Sequence, residues 1–332
     1  VNMMVTARCV AIASLTSLVP TIGSSHHAAA GLYDREAVGM IEGEVVSVFW
    51  RNPHIRFTVE SLGEDGVSET WEIEGGSVNT LERVGIYAST VQVGDHVSFW
   101  GFPGRNGQQV IFAREMTLSG GRRVPLAVQL SDRYIAAAET NRRDEQGLFR
   151  VWVPTQTMST GSGRLSFPLT DRAREAKEAW DPAEDTALQC IPQGMPGAMD
   201  NPYPIEFIDQ GEQIILRLEE WDGVRTIHLN SESGLGAPES PMGHSIGHWE
   251  GTTLIIQTTD IAWSYFDDLG TPLSRDAVVM ERFTQHPNGR ALIWDAEITD
   301  PENFTEPVQM HVEWQYLPGQ EIKPFDCALI EG

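Results

Sequence analysis

The sequence predicts a mainly β protein built as two consecutive barrels. Three observations carry that expectation. Short runs alternate apolar and polar residues, turn signals recur about every eight to twelve residues, and the helical patterns are few and brief. A mature chain of about 300 residues also suits two domains better than one.

The chain opens with Arg8 followed by the apolar run Cys9-Val10-Ala11-Ile12-Ala13 through Leu18-Val19, which reads as a secretory signal over residues 1–25 and is too brief to span a bilayer. Cleavage after Ser25, with Gly23 at −3, leaves His26 first. The alternative cut, after Ala30 with Ala28 at −3, removes both His26 and His27. The first is favoured, because Ala30 lies far from the apolar run. A periplasmic or secreted protein follows, with no later stretch of membrane-spanning length.

A first domain is expected over residues 32–123. Glu44–Trp50 alternates and breaks at Asn52-Pro53; Ile55–Val59 alternates again; Glu64-Asp65-Gly66 signals a hairpin into Thr70–Ile73. Val78–Val84 suits a short helix, with Ser77 as its N-cap and Gly85 beyond its end. Val91–Gly101 and Gln109–Met116 supply closing strands. Strands, one interposed helix and closing strands suit an OB-like Greek-key barrel.

This third of the chain resembles a family of small, uncharacterised exported bacterial proteins. The resemblance rests on His26-His27 after the leader, Trp50-Arg51-Asn52-Pro53-His54 at a strand end, and Trp71-Glu72-Ile73-Glu74. It continues through Ser77, Leu81 and Gly85, then Gly94-Asp95-His96-Val97-Ser98-Phe99-Trp100-Gly101. It implies the barrel and implies no activity.

Residues 124–146 read as a connector, and residues 147–332 as a second domain. Gly147–Val153 opens it. Thr170–Trp180 has helical spacing with Thr170 as N-cap, and Ile191–Pro204 is a Pro/Gly/Met-rich loop. Short strands follow at Pro204–Asp209, Gln213–Glu219, Val224–Leu229, His248–Trp249, Thr252–Thr259, Val278–Gln285, Ala291–Thr299 and Gln309–Leu317. This meander predicts a closed or nearly closed antiparallel barrel, and with Gly147 and Trp152 on its first strand it resembles the lipocalin-like domains of exported bacterial proteins. Cys9 leaves with the leader, so Cys190 and Cys327 are expected to form one disulfide.

With 47 acidic against 23 basic residues and a net charge of −24, the surface repels nucleic acid and anionic lipid. Phosphate-cradling loops, dinucleotide fingerprints, His-Glu-x-x-His and Cys-x-x-Cys-His are absent from the sequence, so nucleotide, haem and flavin are not expected.

Three constellations carry chemistry. The first is a copper site at His26, His27 and His54: a terminal amine beside an imidazole chelates Cu(II), and a further imidazole completes a T-shaped brace. Tyr33 and His96 are further ligand candidates. The second is Gly243-His244-Ser245-Ile246-Gly247, a formal esterase elbow, with Ser245 as nucleophile and His244, His228 or His286 as base. Asp260, Asp295 or Asp300 would orient that base. Its flanks lack the strand-then-helix context, so a turn between meander strands is the expected structure. The third is Glu206, Glu219, Arg225, His228, His244, His248, Glu281 and Arg282, on strand positions that form either ordinary pairs on a solvated face, such as Glu219 with Arg225 and Glu281 with Arg282, or a polar barrel interior. Lined also by Trp221, Trp249 and Trp294, it would take a small apolar or amphipathic molecule or do acid–base work. The leading expectation is a non-catalytic copper- and ligand-binding protein. The competing one is a hydrolase through Ser245, or an isomerase or hydratase using histidine and glutamate pairs such as His228 and Glu219.

Overall fold

A computed structural model describes residues 32–63, 65–127, 147–156, 166–181, 185–230 and 238–329. The expected signal segment, His26, His27 and most of the expected connector lie outside the described residues.

The chain is mainly β and closes twice. The first barrel comprises β1 (Gly39–Phe49), β2 (Arg56–Leu62), β3 (Ser68–Glu74), helix α1 (Val78–Arg83), β4 (His96–Pro103) and β5 (Val110–Leu118). β1 pairs with β2 and β4, and β2 with β3. The parallel pair β3–β5, with Glu74 opposite Phe112, completes the cylinder. This Greek-key order, with a helix between the third and fourth strands, is OB-like. Alternation along β2 drives Phe57 and Val59 inward, where Val45, Ile73, Leu81, Phe99 and Ile111 meet them. Ser77 caps α1 by accepting from the Thr80 amide, as expected. At Gly101 the β4–β5 register shifts, and any Cβ would strike the Phe112 carbonyl. A sixth strand, β6 (Arg123–Pro125), runs into the predicted connector. Val91–Gly94, expected as strand, is instead a turn before β4.

The second barrel closes through nine strands: β7 (Val151–Gln156), β8 (Ile205–Asp209), β9 (Gln213–Leu218), β10 (Gly223–His228), β11 (His244–Glu250), β12 (Thr253–Thr259), β13 (Val278–Gln285), β14 (Ala291–Thr299) and β15 (Val308–Tyr316). Every neighbouring pair is antiparallel except β10–β11, where Ile227 lies opposite Ser245 in parallel register. Helix α2 (Asp171–Ala179) lies before the loop that leads into β8, capped by Thr170 as predicted. Trp152, Trp294, Trp314, Phe207 and Phe283 are buried in one core. Each such aromatic removes about 150–250 Å² from water, a dominant share of the stabilisation. Among the described residues, no helix is long and apolar enough to cross a membrane.

The carboxy-terminal tail after β15 runs back between the barrels. Cys327 is bonded to Cys190, 137 residues earlier, and forms an isolated bridge with Asn52 of the first barrel. The seam centres on Glu219, fully buried at the end of β9. Both of its carboxylate oxygens pair with the Arg83 guanidinium of α1, while Asn79 donates at 3.0 Å and the Lys323 amide at 2.9 Å. Asn52 donates to the Phe325 carbonyl and accepts from the Val78 amide, so α1, the first turn and the tail share one network. Four donors on a buried carboxylate offset its desolvation.

Candidate functional site

The best-organised polar site on the first barrel is built around Glu74, at the end of β3. Alternation turns Ile73 into the core and Glu74 out of it, yet Glu74 is only 2% exposed. Tyr33 covers it, bridging to Gly104, packing 5.7 Å from the Phe112 ring and donating its hydroxyl to Glu74 Oε2 at 2.8 Å. His54 covers the other side, after a turn with a cis Asn52-Pro53 bond. Its Nδ1 lies 2.7 Å from Glu74 Oε1 and 3.0 Å from the Gly75 carbonyl.

The Gly75 carbonyl accepts from Nδ1 and fixes that nitrogen as the N–H donor, with the Glu74 carboxylate beside it at ion-pair distance. The lone pair of the neutral ring is then on Nε2, the tautomer a metal requires. A carboxylate behind a histidine also orients the ring. The phenol of Tyr33 is held above its ordinary pKa by burial first and by the Glu74 charge second. Tyr33 therefore stays protonated and donates to Glu74. His96 is exposed at the start of β4, 4.0 Å from Glu42, and does not join the group. Among the described residues, no three histidine, cysteine, aspartate or glutamate side chains gather with metal-site spacing. The two remaining expected ligands, His26 and His27, lie outside them.

Beside this group, on the outer face of β1, β2 and β3, lies a groove of about 440 Å³. Ser47, Phe49, Arg56, Thr58 and Glu72 line it, and Leu329 of the tail forms one wall. Arg56 stands directly opposite Glu74 in the β2–β3 register, so groove and His54 site adjoin.

The second barrel holds a different arrangement from the expected pocket. Of the polar residues assigned to its interior, Arg225 and Glu281 face inward. They form a bidentate pair with both distances 2.8 Å, sealed at 1% and 0% exposure. Arg225 also donates to Ser245 at 3.0 Å and Thr258 at 2.6 Å, and those hydroxyls lie 3.0 Å apart. Glu206 faces outward and accepts from Arg217, Glu219 belongs to the seam, and His248 and Arg282 face solvent beside Glu250. The aromatics also separate: Trp294 is core, Trp221 packs on Phe325 and Trp249 packs on Phe149 outside the barrel.

Ser245 is not in a turn. It sits inside β11 at 1% exposure, pointing inward, while His244 on the same strand and His228 on β10 point outward. Opposite faces separate the hydroxyl from both rings, so the elbow supplies no nucleophile–base pair. Asp295 accepts from His311, and Asp300 from Ser274 and Asn303. Sequence reasoning missed Glu74, Arg83 and the tail. Glu74 carried one signal, the Glu72/Glu74 alternation on a strand whose next residues reach His54.

Two carboxyls, Glu220 and Asp268, titrate far above their usual range. Burial, then the charges of Asp268 and Asp200, push Glu220 up from 4.5 to about 8. The folded state keeps a proton that the unfolded state releases, so stability is full below pH 4.5 and falls as pH rises toward about 8. Thermal melts should show a higher midpoint at pH 5 than at pH 8. Glu220→Gln should flatten that dependence, and an unchanged slope would contradict it.

Residues 14–112 match a family of unknown function (DUF6152), a span that includes β1 to β4 and reaches into β5. None of the second barrel falls in that match. No curated protein matches the chain.

Proposed function

We propose that this is an exported, non-catalytic copper-binding protein, with the metal held by His54 together with His26 and His27, and with the adjoining groove taking a small apolar or amphipathic molecule. The observation that carries the reading is the Glu74–His54 pair backed by Tyr33. A buried carboxylate spent on fixing one histidine tautomer at a barrel rim is the support a metal-ligating imidazole receives. Five residues separate His27 from Tyr33, a reach of at most about 22 Å in extended chain, so the paired histidines can meet His54. Imidazole and amine nitrogens suit Cu(II), and the acidic surface draws cations to it.

The groove replaces the second barrel's interior as the ligand's place, because that interior is filled by tryptophans and the Arg225–Glu281 pair. Phe49 and Leu329 offer apolar contact, while Arg56, Glu72, Ser47 and Thr58 offer polar ends.

Glu74→Gln tests the reading. It keeps the shape and removes the charge behind His54, and should weaken Cu(II) about 10–100-fold in competition with a chelator. Unchanged affinity in a folded variant would overturn the proposed role.

A further inference from the structure

Among the described strands of the second barrel, the parallel pair β10–β11 places two histidines side by side on its outer surface. Ile227 and Ser245 are paired and point inward, so His228, next along β10, and His244, just before Ser245 on β11, both project outward on the diagonal across that pair. Their ring centroids are 5.4 Å apart and their planes differ by 33°. His244 Nε2 is buried and has no hydrogen-bond partner among the described residues, a costly state for a ring nitrogen that a ligand would relieve.

From this juxtaposition we infer a second metal site, independent of the first barrel, in which His228 and His244 together hold a divalent transition metal such as Zn(II). The dimensions agree. With metal–nitrogen bonds of about 2.0–2.1 Å and a nitrogen about 1.1 Å from its ring centre, two imidazoles at a tetrahedral angle have centroids about 5 Å apart. The partners opposite leave room for this role: His244 faces Thr259 on β12, and His228 faces Gln213 on β9. Asp260, next after Thr259, adds negative charge nearby while accepting from the Thr259 hydroxyl at 2.9 Å. Two protein ligands leave the remaining coordination positions to water or to an external donor, so this is an open site. The site uses neither Ser245 nor the groove, and it does not depend on the copper proposal.

The test is equilibrium dialysis of the full-length protein against Zn(II), beside His228→Gln, His244→Gln and His54→Ala. The two surface variants should each lose one bound equivalent that His54→Ala retains. Both variants alter outward-facing side chains, and unchanged circular dichroism establishes their fold. Protein in which His228→Gln and His244→Gln bind as many equivalents as the parent overturns the site. Loss of an equivalent only in His54→Ala would eliminate this site; loss only in the other two would establish it and leave the Cu(II) reading to its own competition experiment.

Discussion

Glu281→Leu is expected to cost about 3–5 kcal/mol, because it leaves the Arg225 guanidinium charged, sealed in the barrel and without its carboxylate. For a domain of this size the melting midpoint should fall by about 6–20 °C. The size of the effect follows from burial: both side chains are at most 1% exposed, so water cannot replace the lost partner. Ser245 and Thr258 remain to accept from Arg225, but hydroxyls do not neutralise it. The double variant Arg225→Met/Glu281→Leu should recover most of the loss, since apolar side chains of similar volume suit an interior already built of Trp294, Phe283 and Phe207. Urea unfolding of the two variants and the parent checks this. A single variant as stable as the parent would mean that water reaches the pair.

Removing the Cys190–Cys327 bond is the second large change. A bond joining residues 137 apart is worth about 5 kcal/mol on the chain-entropy model. Cys190→Ser/Cys327→Ser should therefore lower the urea midpoint strongly. The loss should also be local in its consequences. Cys327 fixes the tail whose backbone meets Glu219, Asn52, Asn79 and Asp222, and Leu329 is a wall of the groove. Limited proteolysis should cut the variant between residues 317 and 329 while the parent resists. Equal resistance would show that the seam network alone holds the tail.

The elements of both barrels were legible because their signals are local. Ser77 and Thr170 cap the helices they were read to cap, and the β2–β3 hairpin turns at Gly66. The disulfide followed from counting cysteines. What escaped was set by partners distant in sequence. Arg225 and Glu281 stand at strand positions that could face inward or make ordinary surface pairs, but 56 residues separate them, and their pairing leaves no mark on either strand. Glu219 lies one residue beyond β9, so its side chain leaves the barrel wall and meets Arg83, 136 residues earlier. Ser245 looked like part of a turn because glycines flank it and polar residues surround it. Its inward side is polar only because Arg225 waits there. His54 was visible as a turn histidine, whereas Glu74 became its support through a cover, Tyr33, supplied 41 residues upstream.

The central claim is that His54 ligates copper together with the histidines that follow the leader. Electron paramagnetic resonance of the secreted protein with one equivalent of Cu(II) tests it most directly. The account predicts one type 2 signal with nitrogen superhyperfine structure, which loses one coupled nitrogen in His54→Ala. A spectrum that is identical in the two proteins, or that matches aqueous Cu(II), would contradict it.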